Sequence, residues 1–175
     1  MQIRSESVLH HAIEIVYATY RDRAPEIASF IPDIREIRVL SREELPTGLA
    51  LVNLWTSSRD VPRVAASVLK AEHLSWEDHA IWDDTRREVV WRMIFPALPG
   101  RVTCSGTNAF FADGPDRTRV SLNGELRIDL RNLPGLPDFI ARSAGPAVER
   151  FIVELITPNL KQVNASLEKF LDAQR

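Results

Sequence analysis

The 175-residue sequence is short of cysteine, glycine clusters, basic charge and long apolar runs, and each shortage excludes a class of protein. With Cys104 as the single cysteine, no intramolecular disulfide can form. Since no secretory signal is visible, we expect a reducing, cytoplasmic compartment. No apolar stretch approaches the roughly 20 residues of a membrane-spanning helix, so the expectation is no integral membrane segment, with transient membrane contact left open. A formal net charge of −2 gives no basic excess and predicts no nucleic-acid partner.

Motifs for catalysis and metal binding are also scarce. The seven glycines do not cluster, so there is no phosphate-binding loop. The four histidines match neither the helical two-histidine zinc motif nor a cysteine–histidine array. Ser105 lies in a predicted strand without the flanking glycines of a nucleophile elbow. We therefore predict no metal, no cofactor and no catalytic residue.

What the sequence does contain is a strict alternation of apolar and polar residues from Thr118 to Leu130. The apolar residues and Gly124 occupy the even-numbered positions, among them Val120, Leu122 and Leu126. A period of two predicts a half-buried strand, with Gly124 leaving room on its inner face. After a break at residues 132–135 the apolar residues recur every three or four positions to the C-terminus, which predicts a long amphipathic helix.

Other patterns fill in the rest of the chain. The terminal helix is predicted to be broken into two parts at Gly145-Pro146 and kinked at Pro158. Short helices are predicted at about 12–20 and 25–31, and an inserted helix near 61–70. Strands are predicted at 3–9, 34–44, 49–57, 74–82, 88–95, 101–112 and 118–130. Hairpin-spaced strands with few intervening helices indicate an antiparallel sheet, so the chain is predicted to be one α+β domain spanning 1–175.

The order of these elements resembles the START-like (SRPBCC) superfamily, whose fold is called helix-grip or polyketide cyclase/dehydrase-like. The resemblance is carried by the opening strand leading into 11–17, by Pro25-Glu26-Ile27-Ala28, by 30–34, by Ser105-Gly106-Thr107 and by the terminal helix. It implies a curved antiparallel sheet of about seven strands wrapped around the long C-terminal helix, with two short helices between the first two strands and an apolar cavity inside. Superfamily members include lipid-transfer proteins, other binding modules and enzymes. A lipocalin-like barrel is the alternative fold, but a closed barrel needs no long final helix to cover its core.

The four tryptophans all fall on predicted strands, where they either line a cavity or fill the core. Trp76 and Trp91 are predicted to be cross-strand neighbours around a tight turn at Asp83-Asp84. Asn53 and Asp78 share the parity of neighbouring tryptophans, so on an apolar face each would need a hydrogen-bond partner or a ligand. If Asp78 is buried, its pKa rises and it becomes suited to acid–base chemistry. The predicted ligand-binding residues are Asn53, Trp55, Trp76, Asp78, Trp91, Met93, Cys104, Leu122, Leu126, Phe151 and Leu155.

Three functions are consistent with these features. The leading hypothesis is binding, with or without transport, of a hydrophobic small molecule or lipid between the sheet and the terminal helix, without catalysis. An alternative is a cyclase, aromatase or dehydratase acting on a polyketide-like substrate, with Asp78, Asn53 and Arg92 as its polar groups. That alternative requires at least two of the three to converge on one cavity. The third is a protein-interaction module that uses the groove for a partner. The sequence predicts neither the ligand nor the oligomeric state.

Overall fold

The computed structural model describes residues 1–131 and 137–175, so the predicted break at 132–135 lies outside the described residues. The strands are β1 (Gln2–Leu9), β2 (Ile34–Leu45), β3 (Gly48–Asp60), β4 (His73–Asp83), β5 (Glu88–Ile94), β6 (Val102–Ala112) and β7 (Thr118–Ile128). The helices are α1 (Ile13–Asp22), α2 (Ala24–Ile27), which continues into a 3₁₀ turn (Ala28–Phe30), α3 (Arg63–Leu69) and α4 (Asp138–Asp172).

All the strands join one antiparallel sheet in the order β1-β7-β6-β5-β4-β3-β2. The first strand pairs with the last, because α1 and α2 carry the chain from one edge of the sheet to the other. Pro25 lies in the first turn of α2, where a missing N–H interrupts no helical hydrogen bond. The predicted α+β architecture of a curved sheet, two early helices, an inserted helix and a long final helix is confirmed.

The apolar face of α4 packs on the inner face of the sheet. Val120, Leu122 and Leu126 of β7 are buried there, as the alternation predicts, together with Leu155 and Ile156 of α4. In the regular parts of the sheet, this arrangement makes one parity of each strand face the helix and the other face away, whereas β2 departs from the alternation at its register shifts. Within the described residues, no helix has the length and apolar character needed to cross a membrane.

The predicted break in the terminal helix is wrong, because α4 continues through both Pro146 and Pro158. A proline inside a helix removes the hydrogen bond to the carbonyl four residues earlier. For Pro158 that carbonyl belongs to Glu154, and the Arg59 guanidinium donates to it at 3.4 Å. A side chain from β3 therefore replaces the missing helical donor, which helps the helix to tolerate the proline.

The predicted pairing of Trp76 with Trp91 is also wrong. The register places Trp91 opposite Ala80, whereas Trp76 lies opposite Trp55 on β3. The chain turns later than predicted, through residues 84–87. Asp83 Oδ1 accepts hydrogen bonds from the backbone N–H groups of residues 85 and 86, each at 2.9 Å.

Candidate ligand-binding cavity

A cavity lies between the inner face of the sheet and the second half of α4. Space for the centre of a water molecule amounts to about 50 Å³, and the whole indentation, including space open to solvent, to about 550 Å³. Its walls are mainly aromatic and aliphatic. They are formed by Tyr20, Trp55, Trp76, Asp78, Ala80, Trp82, Val89, Trp91, Met93, Asn108, Ile156, Asn159, Leu160 and Val163.

All four tryptophans of the chain line this cavity. Trp55 and Trp76 are cross-strand partners whose rings stack with centroids 6.0 Å apart and planes inclined by 19°. Trp76 also stacks on Phe95 at 6.1 Å. At the other end Trp82 meets the Tyr20 ring edge to face at 5.5 Å. These contacts fix the rings as a rigid wall with flat π surfaces.

The fourth tryptophan, Trp91, lies across two glycines on neighbouring strands. Gly106 is opposite Trp91 in the register and Gly124 is opposite Gly106. A Cβ atom added at Gly124 would lie 3.0 Å from the Trp91 ring. The room that Gly124 leaves on the inner face is therefore occupied by the Trp91 ring. The Trp91 indole N–H donates to Asn108 Oδ1 at 2.9 Å, which satisfies this buried donor.

Asp78 is the acidic residue of the lining. It lies on β4 between Asn53 of β3 and Met93 of β5, in the middle of the inner face. Its Oδ1 is sealed from solvent and has no hydrogen-bond partner in the described part of the chain. The residue is half-buried, since it lines the cavity, but its environment is apolar. Burial raises the pKa of Asp78 to about 7.

Two further titratable groups respond to the Asp78 carboxyl. The pKa of Tyr20 is raised by burial first and by the negative charge of Asp78 second, while the hydrogen bond with Asn108 lowers it. Asn108 Nδ2 donates to the Tyr20 hydroxyl oxygen at 3.5 Å. Burial, followed by the charge of Asp78, raises the pKa of Cys104 to about 12. Both groups are therefore neutral at physiological pH, and Cys104 is an unreactive thiol.

Five of the predicted ligand-binding residues line the cavity: Trp55, Trp76, Asp78, Trp91 and Met93. The other six are outside its lining and fully buried, on β3, β6, β7 and the first half of α4: Asn53, Cys104, Leu122, Leu126, Phe151 and Leu155. The three polar groups of the enzyme alternative do not converge. Asp78 lines the cavity, Asn53 lies beside it, and Arg92 is exposed on the outer face of the sheet.

Sequence reasoning missed the polar residues Tyr20, Asn108 and Asn159 of the lining. Asn108 shares the parity of Cys104 in β6. The argument that identified Asp78, a polar side chain on an apolar face, therefore applies to Asn108 as well. Asn159 is 8% exposed, and its Nδ2 donates to the Leu155 carbonyl at 2.8 Å. Asn159 is a polar residue on the apolar stripe of α4, and a polar residue on an apolar face is the same signal that identified Asp78. Tyr20 reads as part of an ordinary amphipathic helix face, so nothing local indicates its role.

Among the described residues, no group of three or more histidine, cysteine or acidic side chains is arranged to hold a metal ion. Two wider indentations lie elsewhere. One, of about 610 Å³, lies between the end of β7 and the start of α4, beside residues outside the description. The other, of about 440 Å³, is on the outer face of β3, β4 and β5. Neither is enclosed by the sheet and α4.

No protein-family model matches the sequence, and no curated protein matches it significantly. Among solved structures 242 chains match. TTHA0849 from Thermus thermophilus is 18% identical with a TM-score of 0.68, covering 99% of this chain and 99% of its own. The Zhui aromatase/cyclase from Streptomyces sp. R1128 is 17% identical with a TM-score of 0.67, covering 100% and 96%. A START superfamily protein from Mycobacterium smegmatis is 11% identical with a TM-score of 0.55, covering 99% of both chains. Identities this low identify a fold and no more: the chain has the helix-grip fold that these solved structures share.

Proposed function

We propose that this protein binds a small, mainly apolar molecule in the cavity between the sheet and α4, with Asp78 as its polar contact. The observation that carries the proposal is a carboxyl without a partner in the described chain, in a cavity walled by all four tryptophans. A polar group buried without a hydrogen bond destabilises the fold by several kcal/mol at most and about 1–3 kcal/mol in typical cases. A ligand that completes its hydrogen bonds removes that penalty.

The size of the cavity narrows the class of ligand. Pockets for drug-sized molecules hold roughly 300–1,000 Å³, whereas the free space here is about 50 Å³, enough for a few water molecules. A lipid chain therefore does not fit this conformation. A molecule with one ring fits if side chains move modestly so that the cavity widens into the adjoining indentation. A flat ring also matches the flat surfaces of the tryptophans.

Binding can be measured on the tryptophans themselves, because each indole N–H gives its own signal in a ¹H–¹⁵N NMR spectrum. Benzyl alcohol serves as a neutral one-ring probe. We expect it to shift the indole signals saturably in the wild type. In Ala80→Val the added methyl groups occupy the cavity wall, and binding should weaken at least tenfold.

Ala109→Val is the matched control. It makes the same change on β6, and the parity of Ala109 places its side chain on the outer face, so binding should be unchanged. Val163→Leu, which narrows the cavity from α4, is a second blocking variant should Ala80→Val fold poorly. Absence of a saturable shift in the wild type, or equal shifts in the wild type and both blocking variants, would contradict the proposal.

A second candidate function is acid–base catalysis at the same site, because a carboxyl that titrates near neutral pH lies near a neutral tyrosine hydroxyl. The Zhui aromatase/cyclase shows that this fold is compatible with catalysis. In one simple reaction, the Asp78 carboxylate would take a proton from the carbon next to a ketone. The Tyr20 hydroxyl would donate a hydrogen bond to the developing enolate oxygen.

Acetophenone in D₂O tests this chemistry, because enolisation replaces its methyl protons with deuterium. If the protein is such a catalyst, the methyl signal should decay faster with the wild type than with Asp78→Asn, and Tyr20→Phe should be intermediate. Exchange at the buffer rate with all three proteins would eliminate the candidate while leaving ligand binding intact.

A further inference from the structure

We propose that the ligand of this cavity is an organic cation, a small protonated amine with an apolar body, whose ammonium group pairs with Asp78 against the tryptophan wall. This inference rests on the proposed function and deepens it by naming the chemical class of the ligand. It follows from the charges, donors and π surfaces that the cavity offers.

The cavity has an acid and no base. Asp78 lines it, and among residues 1–131 and 137–175 no lysine, arginine or histidine does. The titratable groups that interact with Asp78 from packed elements are Tyr20 on α1 and Cys104 on β6, and both are neutral. In an apolar site a lone carboxylate attracts a cation far more strongly than it would in water. A cationic ligand would supply the countercharge that the lining lacks when Asp78 is ionised.

The hydrogen-bonding groups of the lining are set in its walls. The indole N–H groups of Trp55, Trp76 and Trp82 are closed to solvent and, like Asp78 Oδ1, have no hydrogen-bond partner among the described residues, whereas that of Trp91 donates to Asn108. The amide nitrogens of Asn108 and Asn159 donate to Tyr20 and Leu155. What distinguishes Asp78 from these neutral groups is that it can carry a charge, and a cationic donor is the ligand group that interacts most strongly with a carboxylate.

The tryptophan rings complete the match. All four tryptophans line the cavity, and their rings bring extended π surfaces to its walls. A cation is attracted to the face of an indole ring, and the attraction grows when water is excluded. The stacked pair of Trp55 and Trp76 lies at β3 and β4, and Asp78 follows Trp76 by two residues on the same face. An ammonium group paired with Asp78 thus lies beside this pair, and its apolar body is left for the rest of the wall.

The sign of the pH dependence separates this ligand class from its main competitor. An amine needs Asp78 ionised, so its affinity rises with pH until the carboxyl, whose pKa is about 7, has lost its proton. Below pH 7 the affinity falls about tenfold per unit. A ketone would instead accept a hydrogen bond from the protonated carboxyl, and its affinity would fall as the pH rises.

Benzylamine and benzyl alcohol test the inference, because they differ in little besides the charged group. Titrations followed by the indole NMR signals are made at pH 5.5 and pH 8 on wild type, Asp78→Asn and the exposed control Asp116→Asn. At pH 8 the wild type should bind benzylamine about tenfold to a hundredfold more tightly than benzyl alcohol. This preference should shrink at pH 5.5, disappear in Asp78→Asn and persist in Asp116→Asn.

The outcomes are distinct. Equal affinity for the two probes at pH 8 would overturn the amine inference while supporting the proposed function. Preference for benzylamine that survives in Asp78→Asn would overturn the role of the carboxyl. If neither probe shifts the indole signals, both the inference and the proposed function fail. Should Asp78→Asn bind neither probe, Asp78→Ser provides a second neutral variant, which must retain benzyl alcohol and lose the preference.

Discussion

Replacing Asp78 with asparagine should change how the stability of the protein depends on pH. Burial raises the pKa of the Asp78 carboxyl from 3.8 to about 7 in the folded chain. Between these values the folded chain keeps a proton that the unfolded chain has lost, so the free energy of unfolding falls as the pH rises through this window. A shift of about three units at 1.36 kcal/mol per unit gives a loss of about 4 kcal/mol, complete above pH 7.

Asparagine has no proton to lose at this site. The free energy of unfolding of Asp78→Asn, relative to that of the wild type, should therefore rise by about 4 kcal/mol between pH 4 and pH 8. Urea unfolding followed by tryptophan fluorescence, at one-unit steps over that range, measures the difference directly. Asp116→Asn controls for the loss of a carboxyl, because Asp116 is exposed. A difference between Asp78→Asn and wild type that stays constant with pH would refute the reasoning that the Asp78 carboxyl lies in an apolar environment without a partner.

Two other predictions concern the frame of the cavity. Gly124→Ala should lower the free energy of unfolding by about 1–3 kcal/mol, because the new Cβ lies 3.0 Å from the Trp91 ring, and thermal unfolding would show it. Arg59→Met should destabilise the fold by about 0.5–1.5 kcal/mol, because the Glu154 carbonyl loses its donor and the ion pairs of Arg59 with Asp33 and the Glu154 carboxylate are lost. In a Pro158→Ala background the backbone N–H of residue 158 replaces the donor but not the ion pairs. A double-mutant cycle should then show a smaller loss, and an unchanged loss would show that the hydrogen bond contributes nothing.

Local patterns predicted the elements well because their physical causes are local. The alternation of β7 reflects a sheet with one apolar face, and the spacing in α4 reflects one apolar stripe. The break predicted at Gly145-Pro146 was wrong, since α4 runs through both residues. At Pro158 the lost donor is supplied by Arg59, which lies nearly a hundred residues before Glu154 in the sequence, and no local pattern indicates that contact.

The sequence predicted which strand residues of the site face inward, because the two faces of a strand alternate along the sequence. The Trp76–Trp91 register was wrong, yet both residues face the cavity as predicted. The slip is four positions, since Trp91 pairs with Ala80, and an even slip keeps a side chain on the same face whereas an odd one reverses it. Parity does not predict which inward residues along a strand reach the cavity. Leu122, Leu126 and Cys104 have the inward parity, but they are buried in the core and are not part of the lining.

Asp78 is the residue that stability alone does not account for. A fold with a typical stability of about 5–15 kcal/mol gives up a large share of it to a carboxylate with a penalty near 4 kcal/mol. Its register neighbour Met93 and the next inward residue of β4, Ala80, show that apolar side chains fit this part of the sheet. An apolar residue at position 78 would remove the penalty and fill the cavity. Packing therefore gives no reason for a carboxyl at this position, whereas the proposed ligand site requires one.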